Sequence, residues 1–245
     1  MARSGSDITE SKQTLTINDE AVVSVDPDFE EEQRIQKRWL WMIITFYGID
    51  LVICTLARFG KLYHSPEGLF ITEGVLSAVA VVFGVINFKH LKPLFTCKRL
   101  VLSKAVVYGA AAILFAIAVN LAIKWLNKSL FNQDTLYFRS FRNLPYPRLG
   151  IIFFVALLPA FFEELAYRGI ILEGLFHLSE EKKAIFLSAI LFALIHMNFF
   201  SFFWLLPFAI WLGNVRWKEG TIWYSILIHF CFNITACLFE FYDYS

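Results

Sequence analysis

Long blocks of apolar residues, separated by short polar stretches, dominate this sequence of 245 residues. Hydrophobic residues make up 58% of the chain, whereas a soluble domain holds about 45–50% and spreads them periodically. The blocks run for roughly 15–25 residues, the length that a helix needs to cross about 30 Å of hydrocarbon. The sequence therefore predicts an all-α fold, a polytopic transmembrane helical bundle.

About seven spans are predicted, with six and eight as alternatives. The fourth starts near Leu149 and exceeds one membrane thickness if it continues, bent, to Leu178. The other six are predicted at Leu40–Leu56, Leu69–Phe88, Val101–Ile123, Ala184–Met197, Phe202–Val215 and Ile222–Phe241.

The first 38 residues have a different composition from the rest of the chain. They hold nine of the 21 acidic residues and few large apolar ones, which suits a disordered or weakly ordered tail. The first apolar run begins only near Trp39, which argues against a cleavable signal peptide. We therefore expect an acidic tail over 1–38 and a transmembrane domain over 39–245. With the N-terminus in the cytoplasm, twelve basic loop residues fall on the cytoplasmic side and seven on the other side, which favours this orientation.

Three ionisable residues, Glu163, Glu164 and Arg168, lie inside the fourth apolar block. Each costs roughly 2.5–3.5 kcal/mol at membrane depth, so their presence needs a compensating reason. Glu164 and Arg168 are four residues apart and share a helix face, which predicts a buried ion pair. Glu163 points about 100° away, toward the face of Tyr167, without a local partner. Glu163 is therefore the catalytic candidate, with Glu164 and Arg168 as structural support.

Two later blocks carry further polar residues. His196 follows Phe192 by one helical turn, and a lone histidine of this kind is more often a satisfied core residue. His229 and Asn233 are also one turn apart, so both project toward one spot, where they must find partners inside the bundle. The conjunction of these residues on three spans predicts a shared functional site.

The patterns EELAYR, FALIH and HFCFN resemble the EExxxR, FxxxH and HxxxN motifs of the CPBP family. That family comprises type II CAAX prenyl endopeptidases and bacteriocin-processing or bacteriocin-immunity membrane proteins, also called the Abi family. Each motif alone is weak, but their order and spacing within about residues 145–240 are specific. The resemblance implies that Glu163 and His196 polarise a water molecule, and that His229 and Asn233 donate hydrogen bonds to the developing oxyanion.

The resemblance also implies an intramembrane endopeptidase in contact with membrane lipid, and no nucleic-acid partner. Its substrate would be a membrane-tethered peptide, either a prenylated CAAX-type tail or a precursor or leader peptide. The alternative is a non-proteolytic membrane protein for bacteriocin immunity or for regulation of a signalling partner, with the acidic tail as its binding arm. The chain is near the minimum length for the family and shows no retention signal, and both features favour a location in a bacterial cytoplasmic membrane.

Metal dependence is open at this point, because Glu163, His196 and His229 also form a zinc-type ligand set. The chain lacks HExxH, and family members have been described both as metalloproteases and as glutamate-dependent enzymes, so a metal-free mechanism is favoured. Two other acids, Asp50 and Glu73, lie in or near the first two spans. They either pair with each other or face an internal cavity.

Overall fold

The computed structural model describes residues 27–62, 65–126, 141 and 144–243. These ranges contain no β-strand. The long helices are α1 Pro27–Phe59, α2 Pro66–Ile86, α3 Leu102–Leu126, α4 Pro147–Phe176, α5 Glu181–Ile195, α6 Phe199–Glu219 and α7 Trp223–Asp243. A short helix, Phe88–Leu91, and a 3₁₀ turn, Lys92–Phe95, lie between α2 and α3.

Six of these helices are long and apolar enough to cross a membrane, as judged by length and composition. The exception is α5, whose 15 residues extend only about 22 Å. The predicted polytopic helical bundle of six to eight spans is confirmed, and each predicted span falls on one of the long helices. The sixth span is longer than predicted, because the Asn198 side chain caps α6 and Pro207 is accommodated inside it.

The predicted acidic tail is only partly described. Residues 1–26 lie outside the described residues, whereas 27–38 form the first turns of α1. A proline is favourable as the first residue of a helix, and the acids Glu30, Glu31 and Glu32 lie where the helix dipole favours negative charge. The helix therefore begins well before the apolar block.

Helix α4 occupies the centre of the bundle. One buried apolar cluster joins it to α1, α2, α5 and α6, and another joins it to α2 and α7. A third cluster packs α3 against α6 and α7. Because α4 is covered on most sides, its polar side chains reach other helices rather than lipid.

The backbone of α4 changes its hydrogen-bonding pattern along its length. Two π-helical stretches, Ile152–Leu157 and Leu165–Ile171, flank an α-helical stretch, Leu158–Glu164. Pro159 has no N–H, so the carbonyl of Val155 loses its usual helical donor. Wide turns of this kind are rare and occur frequently at functional sites.

The connection between α2 and α3 is bonded to the turn between α6 and α7. Thr221 Oγ1 donates to Leu94 O at 2.9 Å, and Arg99 Nη1 donates to Gly220 O at 3.1 Å. Gly220 has φ of 62°, a left-handed conformation that suits glycine, and a β-carbon there would overlap the Arg99 guanidinium. These bonds fix the start of α7 relative to the N-terminal half of the bundle.

Candidate active site

The predicted ion pair between Glu164 and Arg168 is present. Arg168 Nη1 donates to Glu164 Oε1 at 3.0 Å, and Arg168 Nη2 donates to Ala209 O of α6 at 3.2 Å. The two side chains are 0% and 1% exposed, so each charge depends on the other inside the bundle. The guanidinium also lies 4.4 Å from the ring centre of Phe192.

His229 is oriented by the same carboxylate. Its Nδ1 lies 2.8 Å from Glu164 Oε1, and because an ionised carboxylate only accepts, the proton on this nitrogen follows from the contact. The other ring nitrogen, Nε2, lies 3.9 Å from Glu163 Oε2. Glu164 therefore fixes the imidazole and leaves Nε2 free to act beside Glu163.

The two adjacent glutamates have opposite environments. The Glu164 side chain is completely buried and accepts from Arg168 and His229, whereas the Glu163 side chain is 30% exposed. Within the described residues Glu163 makes no hydrogen bond. Glu163 is therefore open to water or substrate, and Glu164 is not.

His196 lies at the C-terminal end of α5. Its Nδ1 is 2.9 Å from Phe192 O, and its ring meets the Phe192 ring edge-on at 4.9 Å. Phe192 also contacts the rings of His229, at 6.0 Å, and Tyr167, at 5.2 Å. The structure thus places both histidines around one phenylalanine, but among the described contacts His196 has no hydrogen bond to Glu163.

Asn233 faces α4 one turn beyond His229. Its Nδ2 donates to Val155 O at 3.2 Å, a carbonyl whose α-helical donor position, four residues on, is taken by Pro159. An amide nitrogen carries two donors, so one remains for another acceptor. The sequence analysis did not predict this partner, although Pro159, four residues after Val155, was the available indication.

The predicted metal ligands do not form a metal site. In the described part of the chain, no three His, Cys, Asp or Glu side chains are grouped to hold a metal ion. His229 Nδ1 is engaged by Glu164, and Glu163, His196 and His229 do not converge. As placed in the structure, these residues do not fit a metal ion.

The sequence analysis left Asp50 and Glu73 undecided. In the structure no ion pair or hydrogen bond joins them to each other within the described residues. Several buried polar atoms of the described chain also lack a protein partner, among them Asp50 Oδ1, Ser77 Oγ, Glu164 Oε2 and Tyr167 Oη. Such atoms are exceptions in folded proteins.

Residues 145–235 match the family model described as type II CAAX prenyl endopeptidase Rce1-like. Comparisons with curated proteins and with solved structures gave no match. All three motifs fall inside the matched segment, and the six apolar helices together with this match indicate an integral membrane protein. The part of the chain that holds the candidate site is therefore similar to Rce1-like type II CAAX prenyl endopeptidases, which confirms the predicted resemblance to the CPBP family over that segment.

Proposed function

We propose that this protein is an intramembrane endopeptidase in which Glu163 activates water for hydrolysis of a membrane-tethered peptide. The contrast between the two glutamates supports the proposal. The Glu164 carboxylate is bonded to Arg168 and His229, whereas the Glu163 carboxylate is partly exposed and makes no hydrogen bond in the described structure. A group that accepts a proton must reach the reacting water. Glu163 meets that requirement.

In this reaction Glu163 takes a proton from water as the water oxygen bonds to the peptide carbonyl carbon. His196 helps to orient the water. Glu163 then returns the proton to the leaving nitrogen as the carbon–nitrogen bond breaks, which yields a carboxylic acid and an amine. Glu163 thus ends the reaction in the protonation state in which it began.

The oxyanion would be stabilised by Asn233 and His229. Asn233 has one N–H left after its bond to Val155. His229 has its Nδ1 proton committed to Glu164, so Nε2 donates only when the ring is protonated. The bond to Glu164 holds the imidazole in place, so that Nε2 faces the site.

The Rce1-like match favours a prenylated CAAX-type tail as substrate, with a precursor or leader peptide as the second class. The location that accompanies the proposal is a bacterial cytoplasmic membrane with the N-terminus in the cytoplasm. In the non-proteolytic alternative the acidic tail is a binding arm. If the protein is instead a protease, deletion of residues 1–26 is expected to leave cleavage unchanged.

The proposal is tested with purified protein in lipid nanodiscs and three peptides. One carries a farnesylated C-terminal cysteine, the second has the same sequence with a free thiol, and the third is unprenylated and anchored by a transmembrane segment. Cleavage of the first alone assigns a prenylated substrate, and cleavage of the third assigns a precursor peptide. No cleavage of any peptide, with monodisperse protein, contradicts the proposal and favours the non-proteolytic alternative.

Asn233→Ala is expected to reduce kcat about a hundredfold, because one oxyanion donor is lost. The same change removes the bond to Val155 O and is expected to lower the free energy of unfolding by about 1–3 kcal/mol. Kinetics and denaturant unfolding measure the two effects separately.

The variant Pro159→Ala separates the two roles of Asn233. Alanine restores an N–H that can bond to Val155 O, so the double variant Pro159→Ala/Asn233→Ala should regain stability but not turnover. Recovery of both would show that Asn233 serves only the fold.

Chelation is expected to leave cleavage unchanged. The predicted ligand set is not grouped for a metal ion, and the proposed proton transfers use only side chains. Activity is measured after treatment with 1,10-phenanthroline and dialysis. Loss of activity that zinc restores would overturn the metal-free mechanism.

A further inference from the structure

Helix α1 lies outside the matched segment, yet it contacts the chain on both sides of His196. The hydroxyl of Tyr47 donates to Leu191 O at 3.2 Å, and the hydroxyl of Thr55 donates to Met197 Sδ at 3.9 Å. The first contact lies in the last turns of α5, and the second lies directly after His196. Two side chains of one helix therefore hold the end of α5 around a candidate site residue.

Met197 has an uncommon backbone conformation. Its φ is 48°, in the left-handed region that residues with a side chain rarely adopt. Such a conformation is unfavourable and persists only where the surroundings fix it. Thr55 contacts Met197 from α1, and next to it Asn198 Oδ1 accepts from Phe200 N at 3.1 Å and Ser201 N at 3.2 Å. The turn that ends α5 is therefore fixed both by α1 and by the cap of α6.

Helix α1 is itself seated firmly on the bundle. Trp39 is 1% exposed and stacks on His177, with ring centres 5.0 Å apart and 10° between the ring planes. A β-carbon at Gly174 of α4 would lie 2.8 Å from the Trp39 ring, so glycine is needed for this close approach. From Trp39 the inward face of α1 continues at helical spacing through buried residues: Ile43, Phe46, Asp50, Cys54 and Ala57. This packing gives Tyr47 and Thr55 fixed positions.

The imidazole of His196 depends on the position of the last turn of α5. Its Nδ1 lies 2.9 Å from Phe192 O, so the ring follows the backbone of that turn. Leu191, whose carbonyl accepts from Tyr47, directly precedes Phe192. His196 makes no hydrogen bond to Glu163 among the described contacts. Packing of the helix end, rather than a direct bond, therefore sets the distance between these two groups.

The middle of α5 is held separately. Ser188 Oγ is buried and donates to Tyr167 O of α4 at 3.0 Å. Ser188 precedes His196 by eight residues, which is about 12 Å along a helix. Of these described bonds to other helices, the two from α1 lie nearer to His196.

We infer that Tyr47 is a positioning residue for His196, assisted by Thr55: α1 fixes the end of α5 so that the imidazole meets the reacting water. The inference rests on the proposed function and extends it to a helix outside the matched segment. Accurate placement has a large effect on turnover, since a displacement of about 1 Å can lower it a hundredfold.

Tyr47→Phe removes the hydroxyl and keeps the ring. It is expected to lower kcat about tenfold and to leave KM unchanged, because the water rather than the bound peptide is misplaced. Tyr108→Phe is the matched control. Tyr108 Oη donates to Glu219 Oε1 at 2.9 Å and packs in the cluster of α3, α6 and α7, so its loss should leave kcat unchanged. Equal losses of kcat in the two variants would contradict a specific role for Tyr47.

A double-mutant cycle shows whether Tyr47 acts through His196. His196→Ala removes the group that is positioned, so adding Tyr47→Phe to it should cause no further loss of kcat. Added to Asn233→Ala, the same change should still cause its tenfold loss, because Asn233 lies on α7. A tenfold loss in both backgrounds would show that Tyr47 serves the fold or another group, and would overturn the inference.

Hydrogen–deuterium exchange of the full chain in nanodiscs tests the positioning without a substrate. The double variant Tyr47→Phe/Thr55→Val is expected to speed amide exchange about tenfold over 191–198 and to leave 181–188 unchanged, since Ser188 still holds that part of α5. Unchanged exchange over 191–198 overturns the inference even if wild type cleaves peptide. Faster exchange there, in a protein that cleaves none of the three peptides, supports the positioning of the α5 end and contradicts only the proposed reaction.

Discussion

Glu163→Gln is expected to reduce turnover about 10²–10⁴-fold while leaving the fold intact. Glutamine has nearly the same shape as glutamate but cannot take the proton from water. Glu163 makes no hydrogen bond within the described residues and its side chain is 30% exposed, so little structural energy depends on its charge. Initial rates of peptide cleavage, with unfolding temperatures measured on the same preparations, separate the two effects.

A matched control is Glu181→Gln, at the exposed start of α5, which should leave turnover unchanged. Equal rates for wild type and Glu163→Gln would assign the proton acceptor to another group. His229 would then be the next candidate, because its Nε2 lies 3.9 Å from Glu163 and its Nδ1 is held by Glu164.

Arg168→Met is expected to lower the free energy of unfolding by about 3–5 kcal/mol. The substitution leaves the Glu164 charge completely buried without its cation and removes the bond to Ala209 O. His229 alone would then face that carboxylate. Reversible unfolding in detergent, followed by circular dichroism, measures the loss.

Two further variants show whether burial is the cause. Lys183→Met removes a cation from an exposed ion pair with Glu180 and should change stability by less than about 1 kcal/mol. Adding Glu164→Gln to Arg168→Met removes the stranded charge while leaving an oxygen to accept from His229, so most of the stability should return. Similar losses for Arg168→Met and Lys183→Met would contradict this account.

The spans and the ion pair were predictable because both depend on local sequence. A block of about twenty apolar residues has few alternatives to a membrane helix. Residues four apart on a helix share a face wherever that helix packs, so Glu164 and Arg168 were paired correctly without knowledge of the fold. Orientation of the N-terminus and the catalytic roles of the site residues stay predictions.

The sequence by itself determined the helical membrane architecture, the Glu164–Arg168 pair and the set of polar residues that must find partners inside the bundle. Only the tertiary structure decided which partners they find. His229 bonds to Glu164 across 65 residues of sequence, and Asn233 bonds to Val155 across 78. Helix α2 packs on α4 through Phe70 and Phe154, whose rings stack at 4.0 Å. The reason is geometric: helical periodicity fixes which residues share a face, whereas the meeting of faces depends on how all the helices pack together.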